Sequence, residues 1–494
     1  MKLKLLIAGM AVGLGIAACS SNITNADAPT PVQTATAKNV IFFLGDGYGI
    51  VPMTATRIYA EGEGGSLAID SLPETAFIKT FSLDAQVTDS APSMAAYMTG
   101  VKTRNEVLAM DANTFAVAPG RDATTGVSNS VNNCPSAGNG KASSTLLELA
   151  IGKGLATGVV STARLTHATP AATYAHVCHR NAEYEIARQA APGGAGFNSA
   201  LGGGVDVLMG GLSQYWTPFN ASTNKSGRPD GRDLVAEMKA RGYSFANDLA
   251  STKAAPTAAG SKLLALYDFA ASEGHMSYEL DRDPAKEPSL SEMTTKAMDI
   301  LANNKKGYFL MVEGGRIDHA LHSTNAARAL AEGKAFDDAI KAAIAKVKLT
   351  DPDLKNTLIV VTADHDHTMV MNGYSALTGK TTPANPGILG LMRDYTAPAT
   401  PALDADGSPF TNLLFGNGEN RINSTRAGLL GSLTDLVVSD KNYRQEAAVQ
   451  TGIGGETHGG ADVFLGAIGM QADTFFGVLD NTDIFSRLKS ALGL

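Results

Sequence analysis

The sequence predicts an α/β fold: a doubly wound, mostly parallel central sheet with helices on both faces and a Pro-rich inserted region. Three observations carry this expectation. Continuous apolar runs recur at residues 39–44 (NVIFFL), 158–160, 205–209, 308–312 and 358–361, and runs without polar alternation suit strands buried on both faces. Helical patterns lie between them, at residues 145–151, where Thr145 and Glu148 make a T-x-x-E capping signature, and along the alanine-rich stretch 325–347. Acidic and histidine residues gather where the runs give out, the edge at which open parallel sheets bind ligands.

Residues 1–18 place Lys2 and Lys4 before an apolar run to Ala18. That run is shorter than the roughly 20 residues a membrane span needs, and reads as an export signal. It ends Ile16-Ala17-Ala18-Cys19, which resembles a bacterial lipobox, so Cys19 is expected to carry a lipid anchor on an exported protein, periplasmic or held at the outer membrane. Residues 19–37, rich in Ser, Thr, Asn, Ala and Pro, read as a tether. Beyond Cys19 only Cys134 and Cys178 remain, and an oxidising compartment favours their pairing.

The rest of the chain divides into a catalytic α/β body, residues 38–372 and 456–494, and an insertion, 373–455. Five of the 20 prolines fall between Pro383 and Pro409 and interrupt the strand-helix alternation there. With 44% hydrophobic and 18% charged residues the chain can bury a core, which excludes disorder as its main state. Forty basic against 48 acidic residues, net charge −8, leave no basic face for a polyphosphate backbone, so nucleic-acid recognition is not expected.

The chemistry concentrates at strand ends. Asp46 follows NVIFFLG; Glu313, Asp318 and His322 follow YFLMV; Asp364, His365 and His367 follow TLIVVTA. His167 and Thr169 follow GVVSTARLT, and His458 stands in Glu456-Thr457-His458-Gly459-Gly460. Six of the nine histidines lie in or beside these clusters. Mixed Asp and His donors suit zinc, whereas carboxylate with hydroxyl suits a harder ion such as magnesium. Ser90, in Thr88-Asp89-Ser90-Ala91-Pro92-Ser93, reads as the N-cap of a helix that Gly100 stops, where orphan N–H groups favour an anion. No G-x-S-x-G elbow surrounds it, so activation of this hydroxyl would fall to a metal.

Together these segments resemble the signature blocks of the alkaline phosphatase family: Asp46-Gly-Tyr-Gly, Thr88-Asp-Ser-Ala, Glu313-Gly-Gly-Arg-Ile-Asp-His-Ala-Leu-His322, Thr362-Ala-Asp-His and Thr457-His-Gly-Gly, in the same order across about residues 38–470. The resemblance implies two zinc ions and one magnesium ion: Asp318, His322 and His458 on the first zinc, Asp46, Asp364 and His365 on the second beside Ser90, and Asp46, Glu313 and Thr169 on the magnesium. Arg180 matches the arginine that clamps the phosphate. His167 stands where the enterobacterial version has an aspartate, and His319 where it has a lysine, as in animal-type and some marine bacterial variants, so the third ion would be held differently. His367 would orient a ligand or be structural.

The activity implied is hydrolysis of phosphate monoesters through a phosphoserine with broad substrate tolerance, in a homodimer. The alternatives are a phosphodiesterase or sulfatase of the same superfamily, or a phosphate-binding lipoprotein without turnover. The sulfatase motif begins like Ser90-Ala-Pro-Ser93 but continues with arginine, where this chain has Met94. Two further motifs are decoys: residues 373–381 miss the Walker A spacing by one residue, and Asp404-Ala-Asp406-Gly lacks the other ligands of a calcium loop.

Overall fold

Apolar runs that never alternate must be covered on both sides, and the computed structural model places them at the centre of one large sheet. It describes residues 36–494 apart from 122, 125–128, 136 and 421–432. The export signal, Cys19 and the tether up to residue 35 lie outside the described residues. In chain order the strands are β1 (Asn39–Gly45), β2 (Glu74–Lys79), β3 (Ala156–Arg164), β4 (Val207–Gly211), β5 (Tyr243–Ala246), β6 (Lys262–Tyr267), β7 (Tyr308–Gly314), β8 (Thr357–Ala363), β9 (Asp366–His367), β10 (Met369–Met371), β11 (Leu413–Gly418), β12 (Ala447–Gln450), β13 (His458–Gly459), β14 (Val463–Gly469) and β15 (Gly477–Asp480).

Ten strands form the sheet in the order β15-β2-β14-β8-β1-β7-β3-β4-β6-β5. Its pairings are parallel except those of β14, which runs antiparallel to β2 and β8. The register sets which side chains leave the sheet together. Gly45 at the end of β1 lies opposite Gly314 of β7 and Ala363 of β8, so the three central strands stop level. Asp46 and Asp364 therefore emerge side by side just beyond the carboxyl edge, and Glu313, opposite Leu44, leaves the sheet two positions earlier.

Phe336, on the helix Ala326–Lys348, supports that edge. Its ring meets Phe43 and Tyr48 edge-on, with centroids 6.1 and 5.8 Å apart. A Cβ at Gly314 would lie 2.9 Å from this ring, and one at Gly45 2.6 Å from the Tyr48 Cβ, so both strand ends need glycine for close packing.

The helix Leu146–Lys153 has the expected capping box between Thr145 and Glu148, and Asn325 caps the helix Ala326–Lys348. One expectation is corrected. Ser90 is the first residue of the helix Ser90–Thr99 and not its cap; Asp89 is the cap, accepting the Ala91 N–H at 2.6 Å. An aspartate side chain caps as well as a serine, and here it leaves the serine hydroxyl to face the site.

Within the region read as an insertion, β11 and β12 join β10 in a three-stranded sheet. The chain then returns through β13, which pairs antiparallel with β9 and sets His458 opposite His367. Cys134 and Cys178 are bonded, with Cα atoms 5.6 Å apart. Lys380 of the Walker-like stretch pairs with Glu61 at 3.6 Å, and Asp404 closes a turn by accepting from the Asp406 and Ser408 N–H groups. Among the described residues no helix is long and apolar enough to cross a membrane.

Phe336→Ala should cost about 3–5 kcal/mol of stability, because the cavity opens beneath two strand ends with little room to collapse. Denaturant unfolding of the variant against the parent protein measures it.

Candidate active site and metal centre

The level strand ends deliver their carboxylates to one buried pocket, and the segments beyond them add imidazoles. Ligating atoms of Asp46, Asp364 and His365 lie within 4.8 Å of one another, as do those of Asp318, His365, His367 and His458, and those of Asp46, His167 and Glu313. His322 Nε2 is 3.2 Å from Asp318 Oδ1 and 3.1 Å from His458 Nε2, and His458 Nε2 is 3.4 Å from the same Asp318 oxygen. The helix Arg316–His322 puts Asp318 and His322 one turn apart on one face. Thr169 Oγ1 donates to Asp46 Oδ2 at 3.4 Å. All three predicted ligand sets are thus gathered, with Asp46 shared between two of them.

Ser90 Oγ lies 3.4 Å from Asp46 Oδ1 and 3.2 Å from His365 Nε2, at the first turn of its helix. Ser93 Oγ donates to the Asp364 carbonyl at 2.6 Å, and Tyr97 to that of Ala363 at 2.8 Å, so this helix is fastened to the end of β8. Arg180 reaches the same pocket. One nitrogen is 3.2 Å from Asp89 Oδ1, the other 3.0 Å from His167 Nε2. Asp89 also accepts the Glu106 N–H, so one carboxylate ties the serine helix, the arginine and the segment beneath it.

His167 and His319 stand close, ring centroids 5.2 Å apart, and a third imidazole missed in the sequence, His275, lies 3.9 Å from His319. His275 lies eight residues past the end of β6, a strand absent from the apolar runs read in the sequence, and belongs to no quoted block. Ser161 was missed too. Its hydroxyl donates to Glu313 Oε2, and the sheet register predicts the contact, since Ser161 lies opposite Glu313.

The most consequential residue missed is Glu456. Its Oε2 is 2.5 Å from His367 Nδ1, its Oε1 accepts from the Thr368 N–H and hydroxyl at 2.7 and 2.5 Å, and its backbone carbonyl lies 2.5 Å from His322 Nδ1. His367 Nε2 in turn meets Asp318 Oδ1 at 2.8 Å. Glu456 thereby fixes two donors: Asp318 through His367, and His322 directly. Its place two residues before His458 was the available signal.

The electrostatics of the pocket call for cations. Burial, then the charge of Asp46, pushes the Asp364 carboxyl up to about 8. Glu313 is held well above the ordinary carboxylate range by burial and by Asp46, and burial with the Asp318 charge raises Asp46. The imidazoles go the other way: burial, then His365, brings His458 down to about 3, and burial lowers His365, so both present lone pairs at neutral pH. Burial acts downward on His367 as well, but the Glu456 and Asp318 carboxylates outweigh it and push it up to about 10. Glu313 Oε1, Asp364 Oδ2 and His167 Nδ1 are buried without a hydrogen-bond partner among the described residues. Crowded carboxylates, neutral imidazoles and orphaned donor atoms together fit divalent metal ions.

Metal-stripped protein should lose stability as pH rises from about 6.5 to 8, above the range in which the lowered imidazoles would charge in the unfolded chain: a carboxyl whose folded pKa is raised stabilises the fold below its unfolded pKa, and that contribution is gone above the folded value. Metal-loaded protein should not show this trend, and melting temperatures across the pH range compare the two. Glu456→Gln should weaken metal retention about 10–100-fold, the usual cost of losing a partner that orients a ligand; metal content after graded chelation reads it.

A family model described as alkaline phosphatase matches residues 37–494. The tissue-nonspecific alkaline phosphatase of Gallus gallus is 35% identical over 467 residues, covering 90% of this chain and 82% of the relative. An alkaline phosphatase of Gadus morhua is 34% identical over 471 residues, covering 90% and 89%. In fold, the chain is similar to the alkaline phosphatase of the Antarctic bacterium TAB5, with a TM-score of 0.62 at 23% identity over 93% of this chain and 99% of that one. A match across nearly all of the described residues, joined to relatives above 30% identity, places the chain in the alkaline phosphatase family, the phosphomonoester hydrolases.

Proposed function

We propose that this chain hydrolyses phosphate monoesters with Ser90 as nucleophile, as an exported enzyme anchored through Cys19 and acting as a homodimer. The observation that carries the reading is the position of Ser90 Oγ, within 3.4 Å of Asp46 and His365 at a helix N-terminus that faces Arg180. Asp318, His322 and His458 would hold one zinc ion, Asp46, Asp364 and His365 a second, and Asp46, Glu313 and Thr169 a magnesium ion, with His167 near enough to supplement the last. Bound there, such ions supply Lewis acidity that favours the serine alkoxide and neutralises charge on the departing oxygen.

The residues supply the remainder. Ser90 Oγ loses its proton and forms the bond to phosphorus while the ester oxygen leaves with its electron pair and takes up a proton to become the alcohol. The Ala91 N–H at the start of the helix Ser90–Thr99 is already taken by Asp89 and Pro92 has none, so the helix contributes its dipole, which favours negative charge on the transferring group. Arg180 presents a planar fork to two non-bridging oxygens, a geometry that suits phosphate and that lysine could not supply. Water then displaces Ser90 from phosphorus and frees inorganic phosphate. No fitted pocket for the alcohol is required by this scheme, which supports a broad range of monoesters.

Acid quenching after incubation with labelled phosphate should trap label on the peptide containing Ser90. Ser90→Ala should abolish the label and lower kcat/KM by at least about 10³-fold. Full activity in that variant, or label on another residue, would overturn the assignment.

A further inference from the structure

Resting on the reading of Arg180 as the phosphate clamp, we propose that the Cys134–Cys178 disulfide is a positioning element for that arginine. Cys178 is fully buried and lies two residues before Arg180. The short segment that carries both is supported from one side by residues 106–108: Leu108 and Val177 exchange backbone hydrogen bonds at 3.0 and 3.2 Å, and the Arg180 N–H donates to the Glu106 carbonyl at 2.7 Å. That support is irregular. Glu106 and Ala109 have φ of 73° and 47°, in the left-handed region that side chains disfavour, so this stretch adopts its conformation only while its neighbours impose it.

The second support comes from residues 111–142, in which no helix or strand occurs among the described residues. The ends of this loop meet through the Asp111 N–H and the Lys141 carbonyl at 2.8 Å, and Asn139 bonds both backbone groups of Phe115. The loop reaches Cys178 at two places: the Val117 N–H donates to the Cys178 carbonyl at 3.3 Å, and Cys134 is bonded to its sulfur. The disulfide is the one covalent tie, and it acts beside the Cα that aims the guanidinium.

At the far end of the side chain Asp89 and His167 fix the fork. The disulfide fixes the near end. A bidentate arginine tolerates little displacement, because both N–H vectors must meet oxygens at once.

The test uses the metal-loaded enzyme and inorganic phosphate as ligand, with binding measured by calorimetry beside steady-state kinetics. Cys134→Ser with Cys178→Ser should weaken phosphate binding and raise KM together, on the order of tenfold, below the ~10² that a 1 Å misplacement can cost, with metal content unchanged. In an Arg180→Ala background the same double substitution should change phosphate binding no further. Should the double variant fail to fold, the folded parent enzyme before and after reduction by a phosphine, with circular dichroism and metal content held constant, gives the same comparison. Undiminished phosphate binding without the disulfide, or an equal loss in both backgrounds, would overturn the positioning role and leave the bond purely structural. If Arg180→Ala itself binds phosphate like the parent, the clamp reading fails and the proposal falls with it.

Discussion

The level ends of β1, β7 and β8 are the constraint on which the rest of the molecule depends. A shared register brings Asp46, Glu313 and Asp364 out of the core within one pocket, and all three are buried. Like charges in a medium of low polarity cannot all remain ionised unless positive charge joins them. The fold thus concentrates an electrostatic imbalance at a single place, and the surrounding residues answer it: His365 and His458 kept neutral by burial, His367 raised by the carboxylates beside it, and a serine at the positive end of a helix. A fold stable for other reasons can hold such a pocket because the central strands, apolar and covered on both faces, supply the burial that opposes it.

Orientation is layered outward from that pocket. Glu456 sets His367 and His322, His367 sets Asp318, Ser161 sets Glu313, and Ser93 with Tyr97 sets the serine helix against β8. Each link is a side chain held at one end by backbone or by another buried group, so rotamer freedom is already lost before any ion or substrate arrives. Preorganisation of this kind is what lets binding energy go to the reacting atoms.

How much of this was legible in the sequence depended on whether a signal was local. The strands that carry the site were legible because burial on both faces forbids polar alternation, and β1, β7 and β8 are unbroken apolar runs. The edge was not. β2 alternates between buried and exposed positions, and β15 spans four residues, so neither rises above a loop with a few apolar side chains. The ligands were legible because metal donors are a small set of residue types at strand ends. Glu456, His275 and Ser161 were not, because what they do depends on neighbours far away in the chain. The cap at Asp89 was misplaced by one residue for a related reason. Asp and Ser both cap helices well, and only the contacts of Asp89 with Arg180 and Glu106 show why the carboxylate takes the position.

The histidines that adjoin Asp46 and Glu313 through His167 have their own logic. Arg164, Arg180 and Arg316 all approach the imidazoles of His167, His275 and His319. Burial, reinforced by nearby arginines and by the neighbouring imidazoles, holds all three histidines well below their ordinary value. Uncharged imidazoles can pack against guanidinium groups where lysine ammonium groups would repel them. Each arginine also has a carboxylate: Glu183 for Arg164, Asp89 for Arg180 and Glu273 for Arg316. Glu183 and Glu273 offset the charges of Arg164 and Arg316, while Asp89, the cap of the serine helix, ties Arg180 to that helix. Among these three arginines only Arg180 shares its carboxylate with the serine helix, so under the proposed function a phosphate meets one directed guanidinium, with neutral imidazoles packed beside it.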